Sequence, residues 1–342
     1  MGYNSFKQHK RGVENVIDFQ SKAYEFEITY YFHWGIKTTS YKNNKFVCIS
    51  IKHCWYWPVI LNLVLIHIKK KNKFIIHSHN PLFSLFSVVK SDVFTVHDGL
   101  YYLNKSKGNN YNFLFLIMEK LLYFRCSLVH FISNYSKEQS LFGKRKDFVI
   151  IPNTSHFEIE IPISVLQLIS KNNKKSILIV RSLEERARFD LLLQVAELLM
   201  EKGFFFTVAG KGPLLEYYQL EIIKRKISNL NMLGYVNDDM LLTLYSDCDI
   251  VLNIAEYGEG FGLPIIEGYL FNKPVIASNK CAIPEVIISA NYLFENTVAD
   301  IIRVLTTVTK NGNENYREYY NLNYSNTIVL SKFRKLYMNS LT

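Results

Sequence analysis

With 342 residues, 49% of them hydrophobic, the chain is long enough to build two cores of ordinary size. The formal charge of +10 lies in the first half, where residues 1–165 hold 21 Lys and Arg against 11 Asp and Glu while residues 166–342 hold 19 of each. Cys48, Cys54, Cys126, Cys248 and Cys281 are odd in number, scattered and without a C-x-x-C pair, which suggests neither a disulfide framework nor a zinc site and fits a reducing cytoplasm.

In chain order, Met1 to His9 do not read as a strand, whereas Lys10-Arg-Gly-Val-Glu14 has the character of a turn and the residues from Val16 that of a helix. No apolar stretch followed by a small-residue cleavage site marks a secretory leader. Phe46 to Ile51, Phe74 to Ser78, Val93 to His97 and Leu128 to Ser133 are strand candidates. The apolar run from Cys54 to Ile68 is broken by Pro58, Asn62 and His67 and is shorter than the ~20 residues of a spanning helix. It is expected as a buried amphipathic helix closed by Lys69-Lys70-Lys71, with a helix lying on a membrane surface as the alternative. Val149-Ile-Ile-Pro-Asn153 ends a strand and leads into a poorly periodic linker.

The second half alternates strand-like and helical runs: Ser176 to Val180, Asp190 to Lys202 closed by Gly203, Phe204 to Ala209, Asp238 to Ser246, Asp249 to Asn253, Leu263 to Phe271 and Pro274 to Ser278. Such alternation predicts βαβ units on a parallel sheet, and both halves read as doubly wound. Ser325 to Leu341 has the periodicity of a final helix. The expected organisation is a first domain over 1–153, a linker over 154–166, a second domain over 167–324 and a C-terminal helix over 325–342.

The segment Glu259-Gly-Phe-Gly-Leu-Pro-Ile-Ile-Glu267 carries the clearest chemistry. Pro264 suits the first turn of a helix, and Gly260 and Gly262 allow close approach of the backbone just before it. Open amides at such a helix start suit a diphosphate, and two carboxylates flanking it, Glu259 before the helix and Glu267 about one turn into it, suit pairs of sugar hydroxyls. The residues alone equally allow Glu267 to complement the helix dipole beside an ordinary turn. His77 and His79 form an H-x-H without a third ligand at useful spacing, so no metal site is expected.

Continuing through Lys273-Pro-Val-Ile-Ala-Ser278 and Ile283-Pro-Glu-Val286, this segment resembles the signature of the group 1 (family 4) glycosyltransferases. Weaker motifs agree in order: Ile76-His-Ser-His79, Thr95-Val-His-Asp98, Phe131-Ile-Ser133, Ile151-Pro-Asn153, Gly210-Lys-Gly-Pro213, and Leu233-Gly-Tyr-Val236 before Leu244-Tyr245. The resemblance implies an α/β protein of the GT-B fold, two Rossmann-like doubly wound domains facing across a cleft, with the C-terminal helix packing back toward the first. It implies a retaining, metal-independent transferase that takes a UDP- or GDP-sugar as co-substrate and needs no cofactor. Glu259 would contact the donor sugar, the amides of Gly260, Phe261, Gly262 and Leu263 the sugar and diphosphate, and Glu267 the ribose, while His97 stands where the family often places a sugar-facing histidine.

The family neutralises its departing diphosphate with an Arg and a Lys after the first strand of the donor domain. Val180-Arg-Ser-Leu-Glu-Glu-Arg-Ala-Arg-Phe-Asp190 departs from that pattern. A gapless alignment puts Ser182 and Ala187 at the basic positions; a shift of one residue puts Arg181 and Arg186 there, the assignment preferred here, with Arg188 in reserve. The alternative is a solvated face paired with Glu184 and Glu185. The short N-terminus also departs, its first strand replaced or missing.

The expected partners are a nucleotide-sugar and a glycan or lipid-linked oligosaccharide acceptor of bacterial surface polysaccharide synthesis, such as O-antigen or capsule. The basic first half adds an anionic membrane surface, so the expected location is cytoplasmic, peripheral at the inner face of the plasma membrane. Nucleic acid accounts for the charge and for nothing else. A nucleotide-sugar 2-epimerase and an inactive sugar-nucleotide-binding protein are the competing readings.

Overall fold

The computed structural model describes residues 12–23, 25, 28–34, 39–41, 46–51, 54–69, 74–97, 112–141, 143, 146–157, 175–311 and 314–341. The chain divides into two units, Met1–His156 with Asn326–Thr342, and Phe157–Ser325. Met1 to His9, Lys10-Arg11, Asp98, and residues 158–166 of the expected linker lie outside the described residues.

In the first unit β1 (Thr29–Trp34), β2 (Thr39–Tyr41) and β3 (Phe46–Ile51) form one sheet in the order β1-β3-β2. β1 and β3 run parallel from Thr29 opposite Phe46 to Trp34 opposite Ile51, and β2 is antiparallel to β3. β4 (His77–Ser78), β5 (Ser91–Val96), β6 (Cys126–Phe131) and β7 (Phe148–Ile150) form a second, all-parallel sheet in chain order. Parallel strands covered on both faces need continuous apolar runs, and Val93, Phe94, Val96, Val129 and Phe131 are all buried.

Several elements differ from expectation. β1 and β2 were not foreseen, and the strand expected over Phe74 to Ser78 shrinks to two residues. Just before it, the Ile76 amide donates to the Asp92 carboxylate and the Ile76 carbonyl accepts from the Asp92 and Val93 amides, so a side chain replaces part of the ladder. The helix read from Val16 starts at Gly12. The apolar run after Cys54 forms the helix Trp57–Lys69, yet only one side of it is buried, through Leu61 and Leu65. Among the described residues no helix is long and apolar enough to cross a membrane.

The final helix, Asn326–Leu341, belongs to this first unit. Its stripe Val329, Phe333, Leu336 and Tyr337, spaced i, i+4, i+7 and i+8, shares a core with Phe19, Ala23, Val93 and Ile151. The helix therefore packs back on the first domain, as the resemblance implied.

The second unit holds one parallel six-stranded sheet: β8 (Lys175–Val180), β9 (Phe204–Ala209), β10 (Leu230–Gly234), β11 (Ile250–Asn253), β12 (Val275–Ser278) and β13 (Leu293–Phe294), in the order β10-β9-β8-β11-β12-β13. The chain winds outward from β8 through β9 to β10, then returns to the other side of β8 at β11. The reversal between β8 and β11 opens a crevice beyond their carboxyl ends, where ligands bind in open α/β sheets. The first helix of this unit is shorter than expected, Phe189–Leu198, and is followed by turns that end at Gly203 with φ 76°. Gly268 lets the helix Leu263–Leu270 lie close on the sheet, since a Cβ there would stand 2.6 Å from Val275 Cγ2.

Candidate functional site

Arg181 is the first residue beyond β8 and Asn253 the last of β11, so the two flank the switch point. Arg181 Nη1 donates to Glu259 Oε2 at 2.6 Å and to Asn253 Oδ1 at 3.0 Å. The Arg181 and Glu259 side chains are only 8% and 19% exposed, so the ion pair is largely shielded from solvent. Asn253 is buried, and its Nδ2, the atom turned toward Gly262, has no hydrogen-bond partner among the described residues.

The glycine turn after β9 makes this arrangement possible. Gly210, with φ 154°, and Gly212 lie so close to Arg181 and Leu183 that a Cβ on either would overlap the Arg181 or Leu183 carbonyl. Arg181 is thus held between the Ala209 carbonyl, which its amide meets at 3.0 Å, and the β11 loop. That loop is tied down in turn. The Ala255 amide donates to Ser278 Oγ, and the Ala282 amide to the Glu259 carbonyl at 3.2 Å.

Arg186 and Arg188 close over the same loop. Arg186 donates to Glu184 Oε2 at 2.9 Å and to the Gly258 carbonyl at 2.7 Å. Arg188, held at φ 48°, bridges Asp190 and Glu256, each at 2.9 Å. These carboxylates raise the Arg188 pKa, and the Asn296 amide, followed by Arg188, lowers that of Glu256. The expected surface pairing of Arg186 with Glu184 is present, together with the contact to the Glu256–Glu259 loop.

Gly262, at φ 91°, caps the helix Leu263–Leu270, and Pro264 occupies its first turn. The Phe261 ring is buried edge-on against Tyr324, so only the backbone of this residue is left to meet a ligand. Glu267 is buried inside the same helix, and one of its oxygens accepts from the Tyr245 hydroxyl at 2.7 Å. Tyr245 is itself fixed by stacking on Phe271 at 5.4 Å. Burial pushes the Glu267 carboxyl up to about 7, against the pull of the Tyr245 hydrogen bond.

His97 belongs to the first unit. It follows β5 and stacks on His79, with His97 Nε2 3.0 Å from His79 Nδ1. Burial drives the His97 pKa down to about 3 and lowers that of His79, so both rings are neutral at ordinary pH. The other two histidines of the cluster build a chain whose proton positions follow from its end. His130 Nε2 faces the Ile151 carbonyl at 2.9 Å and must donate. His130 Nδ1 then accepts from Thr95, Thr95 accepts from His77 Nε2, and His77 Nδ1 accepts from the Tyr337 hydroxyl of the final helix. Among the described residues no three His, Cys, Asp or Glu side chains are grouped to hold a metal ion.

The structure brings Arg181, Glu259, Gly260, Gly262, Arg186 and Arg188 to one loop cluster, with Glu267 in the helix that follows. Sequence reasoning overlooked Asn253, Glu256 and the role of Tyr245. A polar residue ending the apolar run Ile-Val-Leu-Asn253 was the available signal for the first. Nothing local announces the other two.

The model of the family described as glycosyl transferases group 1 matches residues 165–324. An uncharacterized glycosyltransferase, MJ1607 of Methanocaldococcus jannaschii, is 27% identical over 187 residues, 50% of this chain and 47% of that one. An uncharacterized 41.2 kDa protein in the cps region of Klebsiella pneumoniae is 27% identical over 117 residues, 34% of this chain and 31% of that one. The chain thus spans less than half the length of these curated relatives. Among solved structures, Anabaena HepE in complex with UDP and glucose superposes with a TM-score of 0.77 at 14% identity, covering 98% of both chains. Residues 165–324 are therefore similar to the group 1 glycosyltransferases, and the chain is built on a GT-B fold.

Proposed function

We propose that the protein is a retaining, metal-independent glycosyltransferase that moves a sugar from a UDP- or GDP-sugar to a hydroxyl of a glycan or lipid-linked glycan. The observation that carries this reading is the Arg181–Glu259–Asn253 cluster at the switch point, beside a helix capped by Gly262. A nucleotide diphosphate entering here would draw the Arg181 guanidinium from Glu259, because two phosphoryl groups offer it more charge and more acceptors. Glu259, so released, accepts from hydroxyls of the sugar. The amides of Gly260 to Leu263 meet the sugar and diphosphate, and the carboxylate of Glu267 accepts from the ribose hydroxyls.

Arg181 and Arg186 then neutralise the charge that grows on the diphosphate as the anomeric bond breaks. His97, being neutral, is suited to exchange a hydrogen bond rather than to act as a cation. Support for a UDP donor comes from HepE, whose structure holds UDP and glucose, and support for surface polysaccharide synthesis from the cps-region relative. An acceptor of that kind would sit at an anionic membrane surface, which the basic first half suits.

Mass spectrometry after incubation with a panel of UDP- and GDP-sugars and extracted glycolipids tests the reading. Transfer that requires both donor and acceptor is expected. Donor consumed equally without acceptor would replace it with an epimerase, and donor bound but never consumed with a binding protein.

A further inference from the structure

Two helices of the first unit are apolar on both sides, and the core uses only one side of each. On Trp57–Lys69, Leu61 and Leu65 are buried against Phe32, Ile51 and Ile76, while Val59, Leu63 and Ile66 are 59%, 64% and 41% exposed at i, i+4 and i+7. On Asn112–Phe124, Leu122 and Tyr123 are buried. Phe113, Ile117, Leu121 and Phe124 run down another side of that helix at i, i+4, i+8 and i+11, and all four are exposed. A helix side facing water normally carries polar residues at these spacings. Single exposed apolar side chains mean little, but a continuous patch marks a surface that something covers.

The two stripes are joined. Asn62 of the first helix donates to the Phe86 carbonyl at 2.9 Å and accepts from the Val88 amide at 2.7 Å. Arg125, just after the second helix, donates to the Ser87 carbonyl, and Leu85 packs against the cluster that contains Leu122 and Tyr123. Phe86 and Val88, both exposed, sit at this seam.

Among the described residues, the three helices of the patch expose no acid. Trp57–Lys69 and Pro81–Phe86 contain no acidic residue. The one acid of Asn112–Phe124 is Glu119, which is buried and accepts from Ser140 Oγ and the Leu141 amide. Lys90 and Lys120 are exposed, and Lys146 Nζ lies 5.9 Å from the centre of the Phe124 ring. An aliphatic and phenyl surface with cations at its edge offers no fixed donors or acceptors within the patch to set the register of a protein partner. It matches an anionic bilayer, where the apolar side chains enter the boundary of headgroups and acyl chains and the lysines reach the phosphates.

We propose that this three-helix face docks into the interfacial layer of an anionic bilayer, holding the chain by insertion of its apolar stripes and not by basic charge alone. The proposal deepens the membrane part of the reading above, and it stands or falls without sugar transfer. The test is flotation of the full-length protein with vesicles of phosphatidylcholine, alone or mixed with phosphatidylglycerol, at low and high salt, with no sugar present. The double variant Leu63→Asp/Leu121→Asp and the milder Phe113→Ser change only exposed positions, and unaltered thermal melting reports their fold. The wild type floats with the anionic vesicles and keeps a bound fraction at high salt. The double variant loses about tenfold or more of its partitioning, and Phe113→Ser a smaller part. Equal flotation of wild type and both variants, or wild-type binding that vanishes entirely with salt, overturns insertion. So does a wild type that ignores vesicles but forms a dimer in light scattering that the double variant dissociates, which would assign the face to a second copy of the chain.

Discussion

At the scale of single residues, Arg181 and Glu259 satisfy each other at 2.6 Å in surroundings that solvent barely reaches. The pair therefore holds the cation in place until a diphosphate displaces the carboxylate. Arg181→Ala is expected to lower the rate of transfer by about 10²–10³-fold, the usual effect of losing one charge-stabilising group. Single-turnover measurements on Arg181→Ala and Arg186→Ala will rank the two; an unaffected Arg181→Ala rate would return the role to Arg186 and Arg188.

Glu267 supplies a pH dependence. Its carboxyl, raised to about 7 by burial, is protonated through much of the acid range, and only the anion accepts from both ribose hydroxyls. Nucleotide affinity is expected to rise as pH passes upward through about 7, and Glu267→Gln to flatten that profile in calorimetric titrations. Stability runs the other way. The folded pKa lies above the unfolded value near 4.3, so the contribution of this group is complete below that pH and is lost as pH rises through about 7. The loss is on the order of 3 kcal/mol. Melting curves of the wild type and Glu267→Gln should therefore favour the glutamine variant more at pH 8 than at pH 5.

At the scale of elements, the glycine turn after β9 matters through shape. Gly210 at φ 154° leaves no room for a Cβ beside the Arg181 carbonyl. Gly210→Ala is expected to cost about 1–3 kcal/mol and to displace Arg181. Chemical denaturation and nucleotide titration of the same variant check both effects, and unchanged nucleotide affinity would show that Arg181 tolerates the shift. The six-stranded sheet was largely legible because β8, β9, β11 and β12 are apolar runs bounded by turn residues. β10 was missed because the exposed Asn231 interrupts the short apolar run of this edge strand. β1 was missed because its burial depends on β3 and on the helix Trp57–Lys69, not on a pattern of its own.

At the scale of the whole molecule, the final helix completes the core of the unit that begins the chain. Phe333 packs there with Phe19, Val93 and Ile151 and is fully buried. Phe333→Ala is expected to destabilise the first unit by about 3–5 kcal/mol while leaving the second unit unchanged. Calorimetry should show this as one transition moving and another staying; a common shift of both would mean that the units unfold together. The Tyr337–His77–Thr95–His130 chain ties the same helix to β4, β5 and β6 through hydrogen bonds whose donors are all determined.

The sequence by itself determined the alternation of strands and helices, the glycine-capped helix start with its two glutamates, and the family these resemble, because those depend on local periodicity and on motifs read along the chain. The tertiary structure alone decided which cation meets Glu259. Arg181 meets Glu259 because the crossing from β8 to β11 brings Asn253 and the Glu259 loop beside it, with the glycine turn pressed against its backbone. It also decided that Glu267 is held by Tyr245 and that the Trp57–Lys69 helix keeps an apolar side outside the core. Burial and partnership are properties of residues distant in sequence, and no local pattern encodes them.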